Sequence, residues 1–365
     1  MNVPFLSLEK INNDLSAEIE IAVKSVIDSS VFIGGDILDE FENNFAIYTQ
    51  AKYCVGVANG LDALILALKA LNISTGDEII VPSNTFIATW LAVSHCGAIP
   101  VPVEPSEDYS IDVSKIEDAI TSKTRVILPV HLYGNSAELN SILDIAKKYS
   151  LYVVEDAAQA HGAIYKDRKI VSHGDIVTWS FYPGKNLGAF GDGGAITTNR
   201  EDIASKIRIL GNYGSEKKYS NSLMGLNSRL DPIQAAVLNV KLKYLDSWNK
   251  NRRNIAYRYL SELKAEGLSL PEKIKIDYSS WHLFPIRSVN RDKVREELFQ
   301  NGIETLVHYP IPPHKQKIYC KDFLNANLKI CENYSKELIS IPIGPHLSSE
   351  NIDYIIHQIN NLYLN

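Results

Sequence analysis

A lysine placed between glycines, and a carboxylate that ends an apolar run, are the side chains of this sequence best suited to chemistry. Asp156 follows the apolar run 151–154, which has the composition of a buried strand. Lys185 follows a second short apolar strand, 176–181, and stands between Gly184 and a glycine-rich loop. A carboxylate can keep the pyridinium nitrogen of pyridoxal phosphate (PLP) protonated, and a lysine amine can form a Schiff base with its aldehyde. The pattern predicts a PLP site with Lys185 as its covalent anchor.

Other kinds of glycine-rich site fit less well. A P-loop would need glycine where Trp179 stands and serine or threonine where Asn186 stands. A dinucleotide fingerprint would open a helix, whereas the glycines after Lys185 precede the apolar strand 195–198. A lysine next to glycines is also compatible with an ordinary solvated loop.

The elements that must position these residues alternate regularly between strand and helix from residue 52 onwards. This alternation predicts an α/β fold with a mostly parallel sheet of six or seven strands and helices on both faces. The turn at Gly60 leads from a strand into a helix, so free N–H groups at the helix start could hold a phosphate, although most such turns bind nothing. Phe86 follows the next strand, at the edge where such sheets bind ligands, and either contacts a ligand or belongs to the core.

Length and composition indicate one large domain and one smaller one. The chain has 365 residues, of which 45% are apolar. We expect an N-terminal arm and a large domain over residues 1–245, and a small α+β domain over 246–365. Within the second part, the segment 303–309 is predicted to be a strand. The basic, Asn-rich run 249–254 is expected to be a solvated helix face.

Several classes of function are disfavoured. The net charge is −6 and no basic cluster is interleaved with aromatic residues, so nucleic acid is not an expected partner. No apolar run reaches the roughly 18 residues of a membrane span. The N-terminal residues are not those of a signal peptide, and the four cysteines form no C-x-x-C pair, so we expect a cytoplasmic protein with free thiols. The histidines lack zinc-type spacing, and no metal is predicted.

The residues around Asp156 and Lys185 also match a family pattern. The matching residues are Glu155, Asp156, Ala157, Gly162, Ser180, Phe181, Lys185 and the run 191–195. In this pattern the sequence resembles the DegT/StrS-type sugar aminotransferases, and the resemblance extends over essentially the whole chain. It implies the aspartate aminotransferase (fold type I) architecture, with a large mostly parallel-sheet domain and a small C-terminal α+β domain. It also implies a homodimer with shared active sites.

The resemblance assigns roles around PLP. Lys185 would hold the cofactor, Asp156 would pair with the pyridine nitrogen, and Phe86 would stack on the ring. Gln159 would contact the edge of the ring that carries the hydroxyl group. The phosphate would be held by Ser180, by the turn Gly60, Leu61 and Asp62, and by Asn227 of the other subunit. Many members have threonine or serine at the position of Leu61, so only a backbone contact is expected there.

The resemblance also suggests a substrate. The loop 308–314 and the motifs around Gly60 and Lys185 are similar to those of enzymes acting on dTDP-3-keto-6-deoxyhexoses. It therefore implies transfer of an amino group from L-glutamate to C-3 of such a sugar, for a cell-surface glycan such as the O-antigen of lipopolysaccharide or for a natural product. Substrate contacts are expected from Tyr182, His308 and Tyr309, and from Phe32 near a neighbouring subunit's site. A rigid proline loop with ordinary surface histidines is the alternative for residues 308–314.

Three other functions remain open. An aminotransferase for a 4-keto nucleotide sugar would use the same cofactor residues. A PLP-dependent sugar dehydratase would have histidine in place of Lys185, so the lysine argues against it. A non-catalytic sensor would not need the set of Lys185, Asp156 and Ser180, and the sequence has no helix-turn-helix.

Overall fold

The computed structural model describes residues 1–170 and 173–362. The α-helices of these residues are α1 Glu9–Asp14, α2 Ser16–Ser29, α3 Asp36–Tyr48, α4 Gly60–Ala70, α5 Ile87–His95, α6 Leu139–Tyr149, α7 Glu201–Gly211, α8 Pro232–Leu242, α9 Leu245–Glu262, α10 Arg291–Gln300, α11 Lys329–Glu337 and α12 Ser349–Asn360. The strands are β1 Tyr53–Val57, β2 Glu78–Pro82, β3 Ile99–Val103, β4 Thr124–Ile127, β5 Tyr152–Asp156, β6 Ile164–Tyr165, β7 Arg168–Lys169, β8 Ile176–Ser180, β9 Gly194–Thr198, β10 Ser215–Lys217, β11 Ser220–Asn221, β12 Phe284–Arg287 and β13 Leu338–Ile341. Four short 3-10 helices lie at Val113–Lys115, Glu117–Ala119, Leu132–Gly134 and Pro313–Lys315.

A seven-stranded sheet forms the centre of the fold, in the order β1-β9-β8-β5-β4-β2-β3. Only β9 runs against its neighbours, being antiparallel to both β1 and β8. The predicted α/β architecture with a mostly parallel sheet is confirmed. Because β5 and β8 are parallel and adjacent, with Asp156 opposite Thr178, the residues that follow these two strands emerge at the same edge.

Helices cover both faces of this sheet, so its strands are apolar on both sides. Val126 and Leu128 belong to one core cluster and Ile127, between them, belongs to another. Successive strand residues point to opposite faces, so this division shows a core on each side. On the side of α3, Phe45 packs edge-to-face on Trp179 with ring centroids 5.3 Å apart.

The C-terminal part is built on α9 and a two-stranded antiparallel sheet, β12 with β13. One core cluster includes residues on both sides of residue 245, among them Leu64, Ile255 and Phe284. The proposed division at 245/246 stays a prediction, and the last three residues of the second part lie outside the described residues. The expected strand 303–309 is wrong. It makes two isolated bridges, Ile303 to Val3 and Leu306 to Ser340, and the prolines that follow it cannot donate to a sheet.

The N-terminal residues contact the C-terminal part of the chain. The Val3 N–H donates to the Gly302 carbonyl at 2.8 Å, and the Phe5 N–H donates to Glu304 Oε2 at 3.1 Å. These contacts place Phe5 and Leu6 beside residues of the C-terminal part. Within residues 1–170 and 173–362, no helix combines the length and the apolar character needed to cross a membrane.

Candidate active site

A cavity of about 590 Å³ opens at the carboxyl ends of the parallel strands. It receives side chains from the ends of β5 and β8 and from the turns that follow β1 and β2. Of the thirteen predicted site residues, ten line it: Gly60, Leu61, Phe86, Asp156, Gln159, Ser180, Tyr182, Lys185, His308 and Tyr309. The fold therefore brings together residues that lie up to 249 positions apart in the sequence.

Asp156 is a buried carboxyl group with two hydrogen-bond donors. Its Oδ2 accepts from Thr89 Oγ1 and its Oδ1 from the Ala158 N–H, each at 3.1 Å. Burial raises the pKa of Asp156, while the Ala158 N–H and the charge of Lys185 oppose this effect. The two donors hold the carboxyl group in one orientation at the wall of the cavity. It can there accept from the N–H of a protonated heterocycle.

Lys185 lies in the loop between β8 and β9, and its N–H donates to the Tyr182 carbonyl at 2.8 Å. Among the residues that the structure describes, none forms a hydrogen bond to its Nζ. Burial lowers the pKa of Lys185 to about 8, against the opposing effect of the Asp156 carboxylate. A lysine with this pKa is partly neutral near physiological pH. Its amine can therefore act as a nucleophile or take up a proton.

The start of α4, at Gly60 and Leu61, and the end of β8, at Ser180, together form a small concave site that we call the cradle. A β-carbon at Gly60 would lie 2.7 Å from the Cβ of Ser180, so only glycine allows this approach. Asn59 caps the helix by accepting the Asp62 N–H at 2.9 Å. Within residues 1–170 and 173–362, the Gly60 and Leu61 N–H groups have no acceptor. Two free N–H groups, the helix dipole and the Ser180 hydroxyl suit a phosphate.

Aromatic and amide groups form another part of the cavity wall. Phe86 is 53% exposed, and its ring centroid lies 5.3 Å from that of Tyr309. Gln159 Oε1 accepts the Tyr133 N–H at 2.6 Å, and its Nε2 donates to the Tyr309 hydroxyl at 3.0 Å. The Tyr133 hydroxyl in turn donates to the His308 carbonyl at 2.6 Å. This chain of hydrogen bonds attaches the loop at 308–309 to the sheet.

Three predicted residues do not line the cavity. The N–H of Asp62 is already taken by Asn59, and its side chain is not among those lining the cavity. Asn227 is exposed, and its Oδ1 accepts from Arg229 Nη2 at 2.7 Å. Phe32 is 51% exposed. The roles expected of Asn227 and Phe32 involve a second subunit and stay predictions.

Two further residues of the cavity were missed by sequence reasoning. Arg252 and His282 both line it. The expectation of a solvated face at 249–254 is wrong at two positions, because Asn249 is 1% exposed and Arg252 is 4% exposed. Both lie on the buried side of α9 with Leu245, at spacings of four and three residues. That helical spacing was the available signal.

A network of amides fixes the ring of His282. Asn186 Nδ2 donates to Asn249 Oδ1 at 2.9 Å and to the Ser280 carbonyl at 2.8 Å. Asn186 Oδ1 is thereby left as the acceptor for His282 Nδ1, at 3.1 Å. Burial and the nearby charges of Lys185 and Arg252 lower the pKa of His282 well below its ordinary value. His282 is therefore neutral, with its proton on Nδ1.

Comparison with known proteins agrees with this geometry. The DegT/DnrJ/EryC1/StrS aminotransferase family matches residues 13–360. A dTDP-3-amino-3,6-dideoxy-alpha-D-galactopyranose transaminase of Aneurinibacillus thermoaerophilus is 50% identical over 98% of this chain and 99% of that protein. A dTDP-3-amino-3,4,6-trideoxy-alpha-D-glucose transaminase of Streptomyces venezuelae is 48% identical over 94% and 92% of the two chains.

A solved structure shows the same similarity in three dimensions. The crystal structure of S. venezuelae DesV in complex with a ketimine intermediate has a TM-score of 0.96 and 46% identity, covering 98% of each chain. The fold and the lysine-containing cavity are thus those of an aminotransferase. The chain belongs to the DegT/DnrJ/EryC1/StrS aminotransferase family, which confirms the resemblance read from the sequence.

Proposed function

We propose that this protein transfers an amino group from L-glutamate to C-3 of a dTDP-3-keto-6-deoxyhexose, with PLP as its cofactor. The observation that carries the proposal is the meeting of Lys185, Asp156 and the cradle at Gly60 in one cavity. Two relatives at 50% and 48% identity are named as transaminases of 3-amino dTDP-sugars, which supports C-3 over C-4.

The residues present fit PLP. Lys185 would hold its aldehyde carbon and Asp156 its pyridine nitrogen, while Phe86 would pack against the ring and Gln159 would contact its hydroxyl group. The phosphate would be held at the cradle, by the Gly60 and Leu61 N–H groups and by the Ser180 hydroxyl. When bound, the cofactor supplies an electron sink for the charge that develops as the donor loses its α-proton.

The chain's own residues then move protons. Lys185 Nζ, partly neutral because of burial, removes the proton from the α-carbon of glutamate. The Asp156 carboxylate keeps a proton on the ring nitrogen. In the second half of the reaction, Lys185 Nζ delivers a proton to the sugar carbon that receives the amino group. The apolar walls, including Phe86 and Leu61, limit the access of water to these atoms.

Contacts with the sugar come from the open side of the cavity. Tyr182 is 59% exposed there, and the pKa of His308 is lowered to about 4 by burial, so its ring is neutral. Neutral His308 and the Tyr309 hydroxyl offer hydrogen bonds to sugar hydroxyls without adding charge. We assign the remaining contacts to Asn227 and Phe32 of a second copy, which makes the active form a homodimer.

The cellular setting follows from the product. A dTDP-3-amino-3,6-dideoxyhexose is a precursor for glycosyl transfer, and we place the enzyme in the cytoplasm. Use in a cell-surface glycan, such as the O-antigen of lipopolysaccharide, and use in a natural product are both consistent with such a precursor.

The absorption spectrum of the protein loaded with PLP tests the proposal. L-glutamate should remove the visible absorption of the cofactor, and dTDP-3-keto-6-deoxyglucose should restore it. The Lys185→Ala variant is the matched control and should show neither change. Restoration of the absorption by the 4-keto sugar alone would show that the enzyme aminates C-4 rather than C-3. A protein that binds no PLP would favour the sensor function instead.

A further inference from the structure

Arg252 is a buried cation that lines the cavity. Its side chain extends from α9 into the cavity wall, and the residue is 4% exposed. Within residues 1–170 and 173–362, no carboxylate forms a salt bridge with it. Burial lowers its pKa to about 10, which leaves the guanidinium charged at neutral pH. A buried charge of this kind is costly unless it is compensated, and it is therefore a candidate binding group.

Three backbone carbonyls hold one side of the guanidinium, through Nη1. Nη1 donates to the carbonyls of Ile343, Trp281 and His282 at 2.9, 3.1 and 3.3 Å. Nε is buried and unpartnered, and Nη2 has no acceptor among the described residues. Gly344 keeps space beside Nη2, because a β-carbon there would lie 3.3 Å from it. The edge formed by Nε and Nη2 is the one that binds a carboxylate through two parallel hydrogen bonds.

We propose that Arg252 binds the α-carboxylate of the amino donor. This inference rests on the proposed function, since it names the group that holds glutamate in the cavity. The described lining of the cavity includes two aspartates, Asp156 and Asp192, and the basic side chains of Lys185 and Arg252. The two aspartates repel a carboxylate, and Lys185 is engaged by the cofactor. Arg252 is thus the cation of the described lining that remains for the donor.

The position of Arg252 beside Lys185 suits the donor carboxylate better than the diphosphate of the sugar substrate or the phosphate of the cofactor. Arg252 and Lys185 also share the wall of a second, narrower cavity of about 20 Å³, so they lie on the same side of the site. The α-carboxylate is bonded directly to the carbon that Lys185 deprotonates, whereas the diphosphate of a nucleotide sugar is separated from the keto carbon by the sugar ring. The cofactor phosphate has its own seat at Gly60 and Ser180.

Variants of Arg252 test this assignment. In Arg252→Gln, the glutamate concentration for half-maximal rate should rise between about 10- and 150-fold, as expected for hydrogen bonds to a charged group. The reverse half-reaction, from the dTDP-amino sugar, and the affinity for PLP should not change. Arg253→Gln, one residue further along α9, is the matched control and should behave as the wild type. An unchanged glutamate requirement in a folded Arg252→Gln protein would overturn the proposal.

Donor analogues decide the question even if Arg252→Gln does not fold. The wild type should accept L-glutamine, which lacks the γ-carboxylate charge, better than L-isoglutamine, which lacks the α-carboxylate charge. Equal use of the two amides would refute the assignment.

Calorimetry with glutarate, a dicarboxylate without an amine, separates this inference from the proposed function. Binding to the wild type that is lost in Arg252→Lys supports the carboxylate site even if no sugar is turned over. Equal binding of glutarate to both proteins argues against the site. Failure of both half-reactions in the wild type would reject the proposed function alone.

Discussion

Gly60 and Ser180 are in direct contact, and this contact joins the start of α4 to the end of β8. The Cβ of Ser180 would be 2.7 Å from a β-carbon at Gly60. Because β1 and β8 are separated in the sheet by β9, the contact crosses a strand and sets the width of the proposed phosphate seat. Any side chain at Gly60 must push Ser180 aside or move the helix.

We expect Gly60→Ala to lower the affinity for PLP by at least about tenfold, because displaced N–H groups lose charge-assisted hydrogen bonds to the phosphate. Equilibrium titration of the cofactor by absorbance measures this. Gly191→Ala is a suitable control, since its β-carbon would meet only the flexible Gln234 side chain, at 3.3 Å. Equal affinities in the two variants would place the phosphate elsewhere.

The amine of Lys185 should react with PLP in a pH-dependent way. Only the neutral amine attacks the aldehyde, so the rate of cofactor capture by the apo protein should rise with pH and level off above about 8. Stopped-flow absorbance gives this profile. In Asp156→Asn the carboxylate that raises the pKa of Lys185 is absent, so the midpoint should move to lower pH. A midpoint near the ordinary lysine value, in either protein, would contradict the burial of the amine.

The hydrogen bond from Thr89 should help to keep Asp156 ionised by lowering its pKa. The Thr89 hydroxyl donates to Asp156 Oδ2 at 3.1 Å and thereby opposes the burial that raises the pKa of the carboxyl group. In Thr89→Val the pKa of Asp156 should rise further, so the protonated form persists to higher pH. We expect turnover to fall about tenfold, with its acid limb displaced to higher pH. Thr85→Val removes the hydroxyl that bonds Thr89 at 2.9 Å but keeps the Thr89 hydroxyl that contacts Asp156, so its acid limb should move less than that of Thr89→Val.

Asn249 should contribute to stability although it lies in a polar run. Its Nδ2 donates to the His161 carbonyl at 2.8 Å, and its Oδ1 accepts from Asn186 at 2.9 Å. Asn249→Ala leaves the buried His161 carbonyl without this donor, so the free energy of unfolding should fall by roughly 1–3 kcal/mol. The neighbouring Lys250 is exposed, and Lys250→Ala should change it by less than about 0.5 kcal/mol. Denaturant titration compares the two, and equal effects would contradict the buried network.

Sequence reasoning was most reliable where the hydrophobic pattern of a segment and the residues that end it indicated the same element. The apolar runs 151–154 and 176–181 predicted strands of a mostly parallel sheet, and parallel strands place their last residues at one edge. Lys185 and Asp156 could therefore be assigned to one site before any coordinates. The prediction of a solvated helix face failed at Asn249 and Arg252, because it treated polar side chains as exposed ones. Burial of these side chains depends on carbonyl and amide partners 29 to 91 residues away, which local patterns do not contain.

The strand expected at 303–309 failed for a related reason. Its residues have strand-like composition, but a strand needs continuous pairing with a neighbour, and the segment makes only isolated bridges, Ile303 to Val3 and Leu306 to Ser340. The loop is attached instead through Tyr133 and Gln159, which belong to another part of the chain. Sequence reasoning found the residues His308 and Tyr309, whereas their attachment required the fold.

Phe5, near the beginning of the chain, and Ile343, near its end, line the same cavity. During synthesis the sheet can begin to form while the ribosome is still translating the second half of the chain. The site nevertheless cannot be complete until residue 343 has left the exit tunnel and the first residues have docked beside Gly302. A nascent chain therefore carries an incomplete cavity from the time the sheet forms until the last part of the chain has been translated. Cofactor capture should be among the last events in the maturation of the enzyme.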